Sequence, residues 1–150
     1  MFKKLFIPSD DSDLTSMALL VARLWFGLTM LLNHGMDKLA RFNELINTFP
    51  DPLHVGPGAS LVMVVMAEVG AAIFLAAGFL TRISAAVLVI DMFVAFLMVH
   101  KTVLSGKGSG ELAFLYLAGY MILLIAGGGL FSLDTIVFSK TSRSRIQTPE

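Results

Sequence analysis

Three ionisable residues fall inside stretches that are otherwise apolar enough to cross a membrane: Arg23 in 14–32, Glu68 in 60–80 and Asp91 in 83–99. Glu111 opens a fourth such stretch, which runs to Phe131. A charge at the centre of a bilayer costs roughly 3 kcal/mol or more, so such residues face a bundle interior, pair with one another and mark function. At 1.5 Å per helical residue, Arg23 and Asp91 lie roughly 13–14 Å deep and Glu68 roughly 12 Å deep from the opposite side. One cation and two carboxylates at one level predict an ion pair plus a carboxylate open to protonation. The sequence leaves open which carboxylate is the partner.

A second polar set falls at the far face. His34 and His100 end the first and third stretches, Lys38 follows one turn after His34, and Glu111 begins the fourth. Two histidines and a carboxylate converging on one membrane face would suit a quinone head group, or would simply bond to one another. The histidines have no metal-ligand spacing and nothing singles out an axial haem pair, so haem and metal are disfavoured. A third set, Arg82 with Asp134, is expected to be a structural salt bridge between the end of the fourth stretch and the turn joining the second and third. His54, between Pro52 and Pro57, reads as a surface residue.

The elements that must position these groups follow from composition. The chain is 56% hydrophobic and only 15% charged, with a mean hydropathy of +0.80, whereas a soluble domain carries about 25% charged residues. Each apolar block has ~17–21 residues, near the ~20 that span a hydrocarbon core. Too little polar sequence remains to coat four buried helices in water. The formal net charge is zero, with 11 basic and 11 acidic residues, and no basic stripe points to nucleic acid. There is no cysteine, which excludes disulfides, thiol catalysis, attached c-type haem and cysteine-ligated clusters within this chain.

These signals predict an all-α polytopic membrane protein: a four-transmembrane-helix bundle with a partly helical extracytoplasmic loop after the first helix. The spans are placed at about 14–34, 60–80, 82–100 and 111–131. Residues 1–13 read as an interfacial or disordered segment in which Phe2, Leu5 and Phe6 dip into lipid, residues 14–134 as the membrane domain, and residues 135–150 as a polar tail. Asp11, Ser12 and Asp13 are good N-cap residues for the first span. Asp51-Pro52 and Gly56-Pro57-Gly58 break the chain before the second, and Gly78–Arg82 makes a turn so short that spans two and three must form an antiparallel hairpin. Small residues at Ala67 and Ala71, and at Ala72 and Ala76, allow close helix approach in lipid. Both termini share one side, with six basic residues (Lys3, Lys4, Arg82, Lys140, Arg143, Arg145) against four (Lys38, Arg41, Lys101, Lys107), which favours cytoplasmic termini.

Taken together, Arg23-x-x-x-Gly27, His34-Gly35-x-x-Lys38, Glu68, Gly78-x-x-Thr81-Arg82, Ala95 followed by His100, Gly110-Glu111, and Gly127-x-Gly129-x-x-Ser132-Leu133-Asp134 resemble the DoxX family of small four-helix membrane proteins. The resemblance runs from about Leu20 to Asp134 and rests on the order and spacing of motifs that are weak one by one. It implies an integral protein of a prokaryotic plasma membrane. It also implies association with redox enzymes, the family taking its name from a subunit linked to quinone-coupled sulfur oxidation. Asp91 is not among the positions that carry the resemblance, and its role is inferred only from its depth.

The leading expectation is therefore a redox-associated, quinone-interacting subunit. If it takes part in an enzyme, it does so as an accessory of a membrane oxidoreductase that supplies the electrons. Its partners would be the bilayer, a membrane or peripheral redox protein, and further copies of itself. The competing expectations are a scaffold without catalysis and a narrow proton or solute path lined by Glu68, Asp91 and Glu111.

Overall fold

Described over residues 12–144 in a computed structural model, the chain is helical, with no strand among the described residues. Residues 1–11 and 145–150, and with them the anchoring role expected of Phe2, Leu5 and Phe6, lie outside that range. Helix α1 spans Ser12–Ala40, α3 Pro57–Ala77 and α4 Thr81–Val99, and these three are long and apolar enough to cross a membrane. The short α2 (Phe42–Leu45) lies in the link between α1 and α3. Helix α5, Glu111–Ala126, is apolar and shorter, and α6 covers Leu133–Ser144.

The outward faces of the long helices are as apolar as the core. Val21, Trp25, Leu32, Ile83, Ile90, Ile122 and Ile125 are all strongly exposed. In water such a surface would aggregate. In a bilayer it is the lipid-facing surface, and the chain is an integral membrane protein. The interior is a column of Met30, Ala72, Leu75, Ala85, Leu88, Met92, Phe96, Tyr116, Tyr120 and Leu123.

Lipid tails are no less apolar than leucine, so helices associate through close packing. The α1–α3 contact works this way. A Cβ on Gly27 would fall 2.9 Å from the Ala76 Cβ and 3.0 Å from the Ala72 carbonyl oxygen, and one on Gly35 2.6 Å from the Glu68 carbonyl oxygen. The alanines at 72 and 76 thus pack as their spacing predicts. The two helices run antiparallel, with residue 27 beside 72–76 and residue 35 beside 68.

The turn between α3 and α4 closes the hairpin. Gly78 takes a left-handed φ of 71°. Its N–H donates to the Leu75 carbonyl (3.0 Å) and the Phe79 N–H to the Phe74 carbonyl (2.9 Å), the paired bonds of a Schellman cap, and the Phe74 and Phe79 rings supply its apolar contact at 5.5 Å. Helix α3 therefore stops at Ala77, three residues before the expected end. Helix α5 likewise stops at Ala126 rather than 131, because Gly127 (φ 82°) and Gly129 (φ 70°) leave helical space. Helix α1 instead runs six residues past His34, and a helix beginning at Leu133 occupies much of the segment expected to be a tail.

Three stretches wind as π-helix: Leu31–Gly35 in α1, Met66–Ala71 in α3 and Ala95–Val99 in α4. Such wide turns are uncommon and gather at functional sites.

Candidate functional site

The bundle has a turn end, carrying residues 78–80 and 127–132, and a loop end, carrying the links 41–56 and 100–110. A cavity of about 560 Å³ opens at the loop end, in the size range of small-molecule sites. Its walls are largely apolar, with Met30, Met63, Val64, Val87, Ile90 and Leu112 among them, and Phe49, Pro50, Pro52 and Leu53 of the α1–α3 link also line it. Its ionisable groups are His34, Lys38, Glu68, Asp91 and His100, with Tyr116 from α5, and Ser60 and Ser109 add hydroxyls. All three π-helical stretches contribute to the lining.

Lys38 and Glu68 form the ion pair of this site. The Lys38 ammonium lies 2.6 and 2.9 Å from the two Glu68 carboxylate oxygens, and the side chains are 20% and 5% exposed. Helical side chains lean toward the N-terminus, so Lys38, one turn beyond His34, leans back along α1 toward Glu68. Asp91 stands nearby on α4, and its buried Oδ2 finds no hydrogen-bond partner among the described residues. The His34 ring meets Tyr116 edge-on at 5.7 Å. His100 Nδ1 sits 2.9 Å from the Gly108 carbonyl oxygen. That oxygen can only accept, so Nδ1 carries the hydrogen of this bond.

The structure thus joins two sets that the sequence separated. Glu68 and Asp91 share one cavity with His34, Lys38 and His100, while Arg23 and Glu111 stand outside it. Arg23 does not pair with Glu68 or Asp91. Because α1 extends to Ala40, residue 35 is the one level with Glu68, and Arg23 lies about 18 Å farther down the helix at 1.5 Å per residue. Glu111 is exposed on the first turn of α5, where its N–H bonds the Ser109 hydroxyl at 3.1 Å. Its neighbours Leu112 and Ala113 take the cavity side.

Arg23 serves the turn end. It is fully buried, and its guanidinium donates to the Phe131 carbonyl at 2.7 Å and the Ala76 carbonyl at 3.4 Å. Ala76 is in the last turn of α3, where carbonyls lack helical partners and the dipole favours a cation. Phe131 lies in the non-helical link after α5, whose other groups are also held by protein: the Leu130 N–H donates to the Ser16 hydroxyl, and the Ser132 and Thr135 hydroxyls donate to the Gly129 carbonyl.

Arg82 and Asp134 do not bridge to one another. Asp134 accepts from the Leu80 and Thr81 N–H groups at 2.6 and 2.9 Å and so caps α4 from a distant part of the chain. Arg82 donates to the Ile125 carbonyl near the end of α5 at 3.1 Å. The tie between the fourth helix and the turn exists, but backbone groups at two helix ends complete it. His54 is exposed, with a φ of 56°. Among the described residues no group of three or more histidines and carboxylates is placed to hold a metal ion.

No curated protein and no solved structure matches this chain. The DoxX family profile matches residues 18–101, a segment containing α3, α4, most of α1 and nearly all the polar groups of the cavity. The match covers more than half of the sequence, and the chain belongs to the DoxX family.

Proposed function

We propose that this DoxX protein is a redox-associated membrane subunit whose loop-end cavity holds the head of a quinone-type molecule. One observation carries the reading: a largely apolar cavity of about 560 Å³ that collects an ion pair, an unpartnered carboxylate oxygen and two histidines. A quinone needs an apolar slot for its tail and hydrogen-bonding groups at its ring oxygens. Lys38 and His34 can donate to those oxygens, with His100 beside them in the wall. The chain has no cysteine, so electrons would come from a partner protein, with this chain as its accessory.

On this reading residues 14–134 form the membrane unit and α5 is its fourth span. At 16 residues α5 covers about 24 Å, and the protected link after it completes the crossing. The loop end with the α1–α3 link is extracytoplasmic and the turn end cytoplasmic.

The test is mass spectrometry of whatever co-purifies with the protein in mild detergent, alongside equilibrium binding of a benzoquinone bearing a ten-carbon tail. Stoichiometric quinone in the wild type, reduced at least about tenfold in Lys38→Ala and His100→Ala but retained in Arg82→Ala, is expected. A protein partner without quinone, and no binding of the tailed benzoquinone, would replace this reading with the scaffold. Proton flux in liposomes that tracks Asp91 and Glu68 without quinone would replace it with the proton path.

A further inference from the structure

Helix α6 is helical without the means to be so on its own. Of its 12 residues only Leu133, Lys140 and Arg143 are strong helix formers. A helix of about 12 residues is marginal in water even when its residues favour helix, and packing on a surface makes up the difference. The bundle ties α6 at its first turn. The Asp134 N–H donates to the Gly78 carbonyl at 2.9 Å, the Asp134 carboxylate caps α4, and the Thr135 N–H donates to the Ser132 hydroxyl at 3.3 Å. Among the described residues no helix of the bundle packs extensively against 133–138.

The surface that α6 lacks in the protein is supplied by its position. The 21 residues of α3 cover about 32 Å, close to the ~30 Å of a hydrocarbon core. The turn after α3, and the start of α6 bonded to it, therefore lie where tails meet headgroups. From Leu133 to Phe138 the helix advances only about 8 Å, roughly the depth of one headgroup layer, so this half stays at the interface however α6 is directed. It is apolar on two sides. Leu133, Ile136 and Val137 share one side by their spacing, and Phe138 stands on the other. Ile136 and Phe138 are 56% and 53% exposed. A docked protein covers one side of a helix, whereas lipid closes around both. Leu130 and Phe131, also exposed, extend the apolar run back toward α5. Lys140 and Arg143 follow it in the second half of α6, and the one acidic residue of the helix, Asp134, is engaged in the α4 cap.

We propose that α6 is an interfacial anchor whose apolar half, Leu133–Phe138, sits at the acyl–headgroup boundary and whose Lys140 and Arg143 bind the phosphates of anionic lipids. The partner is thus an anionic lipid surface at the turn end, and the helix is completed by folding onto it. Each lysine or arginine close to such a surface strengthens attachment about fivefold. The two together set a preference for anionic over neutral lipid of about 25-fold at low salt, and added salt screens it. The anchor works at the opposite end of the bundle from the cavity and stands whether or not the cavity holds a quinone.

The experiment is hydrogen exchange of the 137–143 amides in the full chain, in nanodiscs of phosphatidylcholine alone and of phosphatidylcholine mixed with phosphatidylglycerol. A nitroxide on Ile136→Cys reports depth, and the absence of other cysteines makes that label unique. Protection in the mixed discs is expected to exceed that in phosphatidylcholine at least about tenfold. The double variant Lys140→Gln with Arg143→Gln, or high salt, removes the difference, and Phe138→Ser lowers protection in both lipids. The nitroxide is relaxed more by oxygen, which concentrates in lipid, than by a water-soluble nickel chelate. Unchanged exchange at Leu80 and Thr81 in every variant shows that the bundle is intact. Equal protection in the two lipids, or a difference that survives the double variant, overturns the binding of anionic lipid. A nitroxide relaxed chiefly by the nickel chelate, or protection of α6 that appears only when a second protein is added, overturns the anchor itself.

Discussion

Removing Lys38 tests whether the ion pair is a unit of the fold. In Lys38→Met the apolar stem is kept and the charge is lost, leaving the Glu68 carboxylate 5% exposed with no cation beside it. Two routes are open to the variant, and they cost about the same. Breaking a buried pair from one side costs about 3–5 kcal/mol. The alternative is for Glu68 to take up a proton, which for a glutamate of ordinary pKa near 4.3 costs about 3.7 kcal/mol at pH 7, at 1.36 kcal/mol per unit. The expected loss is therefore about 3–4 kcal/mol, a fall in Tm of roughly 6–16 °C for a chain of this size. Glu68→Met should cost less. The Lys38 ammonium sits on a flexible stem near the end of α1 and is 20% exposed, so it can swing toward the headgroups. The double variant removes both charges and should recover most of the loss, as replaced buried pairs do. The assay is thermal unfolding in one detergent, with Arg41→Met as control. Arg41 lies 3.5 Å from Asp37 and 3.3 Å from Glu44, and these pairs are well exposed and worth at most about 1 kcal/mol. If Lys38→Met melts with the Arg41 control, or if the double variant is no better than Lys38→Met, the pair is not a coupled unit and the reasoning fails.

Three further outcomes are expected. Gly78→Ala should cost several kcal/mol, since a left-handed φ alone costs about 1–2 kcal/mol and the new methyl would land on the Arg23 guanidinium. Gly70→Ala, with open space around it, should be neutral or slightly stabilising, and equal melting of the two variants would contradict the role given to Gly78. Asp134→Ala should cost about 1–2 kcal/mol by stripping the cap from α4, read as faster hydrogen exchange at the Leu80 and Thr81 amides. Asp51 accepts from the Ser60 hydroxyl at 2.7 Å and from the Gly56 and Val55 N–H groups at 2.8 and 3.0 Å. The Ser60 bond first, helped by the two N–H bonds and a nearby His54 charge, holds its carboxyl below the usual range against the opposing effect of burial. The depressed value means that this anchoring of the α1–α3 link is complete above the ordinary carboxylate range and is lost as pH falls through the lower folded value. Hydrogen exchange at Val55 and Gly56 should accelerate in acid in the wild type, and Asp51→Asn should flatten that dependence.

The sequence carries the membrane class plainly, because hydrophobic runs of span length depend on composition alone. The polar inventory is also legible, since Glu68 and Asp91 stand out against an apolar background and His34 and His100 mark the ends of apolar runs. The pairing is not legible. Depth counted from the ends of apolar runs placed Arg23 level with Glu68, but α1 outlasts its apolar run, and Asp37, Lys38, Leu39 and Ala40 remain helical. Those residues bring Lys38, rather than Arg23, to Glu68. The helix ends were misplaced at 80 and 131 because glycine φ values, rather than apolarity, stop α3 and α5. The π-helical stretches have no signature in the residues themselves, although all three contribute to the cavity lining. Asp91, read from depth alone, falls inside it.

The two ends of the bundle put buried polarity to different uses. At the turn end side chains hold backbone groups at the helix ends: Arg23 on the Ala76 and Phe131 carbonyls, Asp134 on the Leu80 and Thr81 amides, and Arg82 on the Ile125 carbonyl, although Arg23 Nε and Thr81 Oγ1 are buried there without a partner among the described residues. Small residues at Gly27, Ala72 and Ala76 draw α1 and α3 together there. At the loop end the helices part, three of them widen into π turns, and a carboxylate oxygen is left without a donor. A stable bundle could have closed that end with the same devices it uses at the other. The open space, the π turns and the buried ion pair all fall toward the loop end, and that is the argument for where its function lies: the turn end, its helix ends tied by side chains, is the frame, and the cavity beside Lys38, Glu68 and Asp91 is the working part.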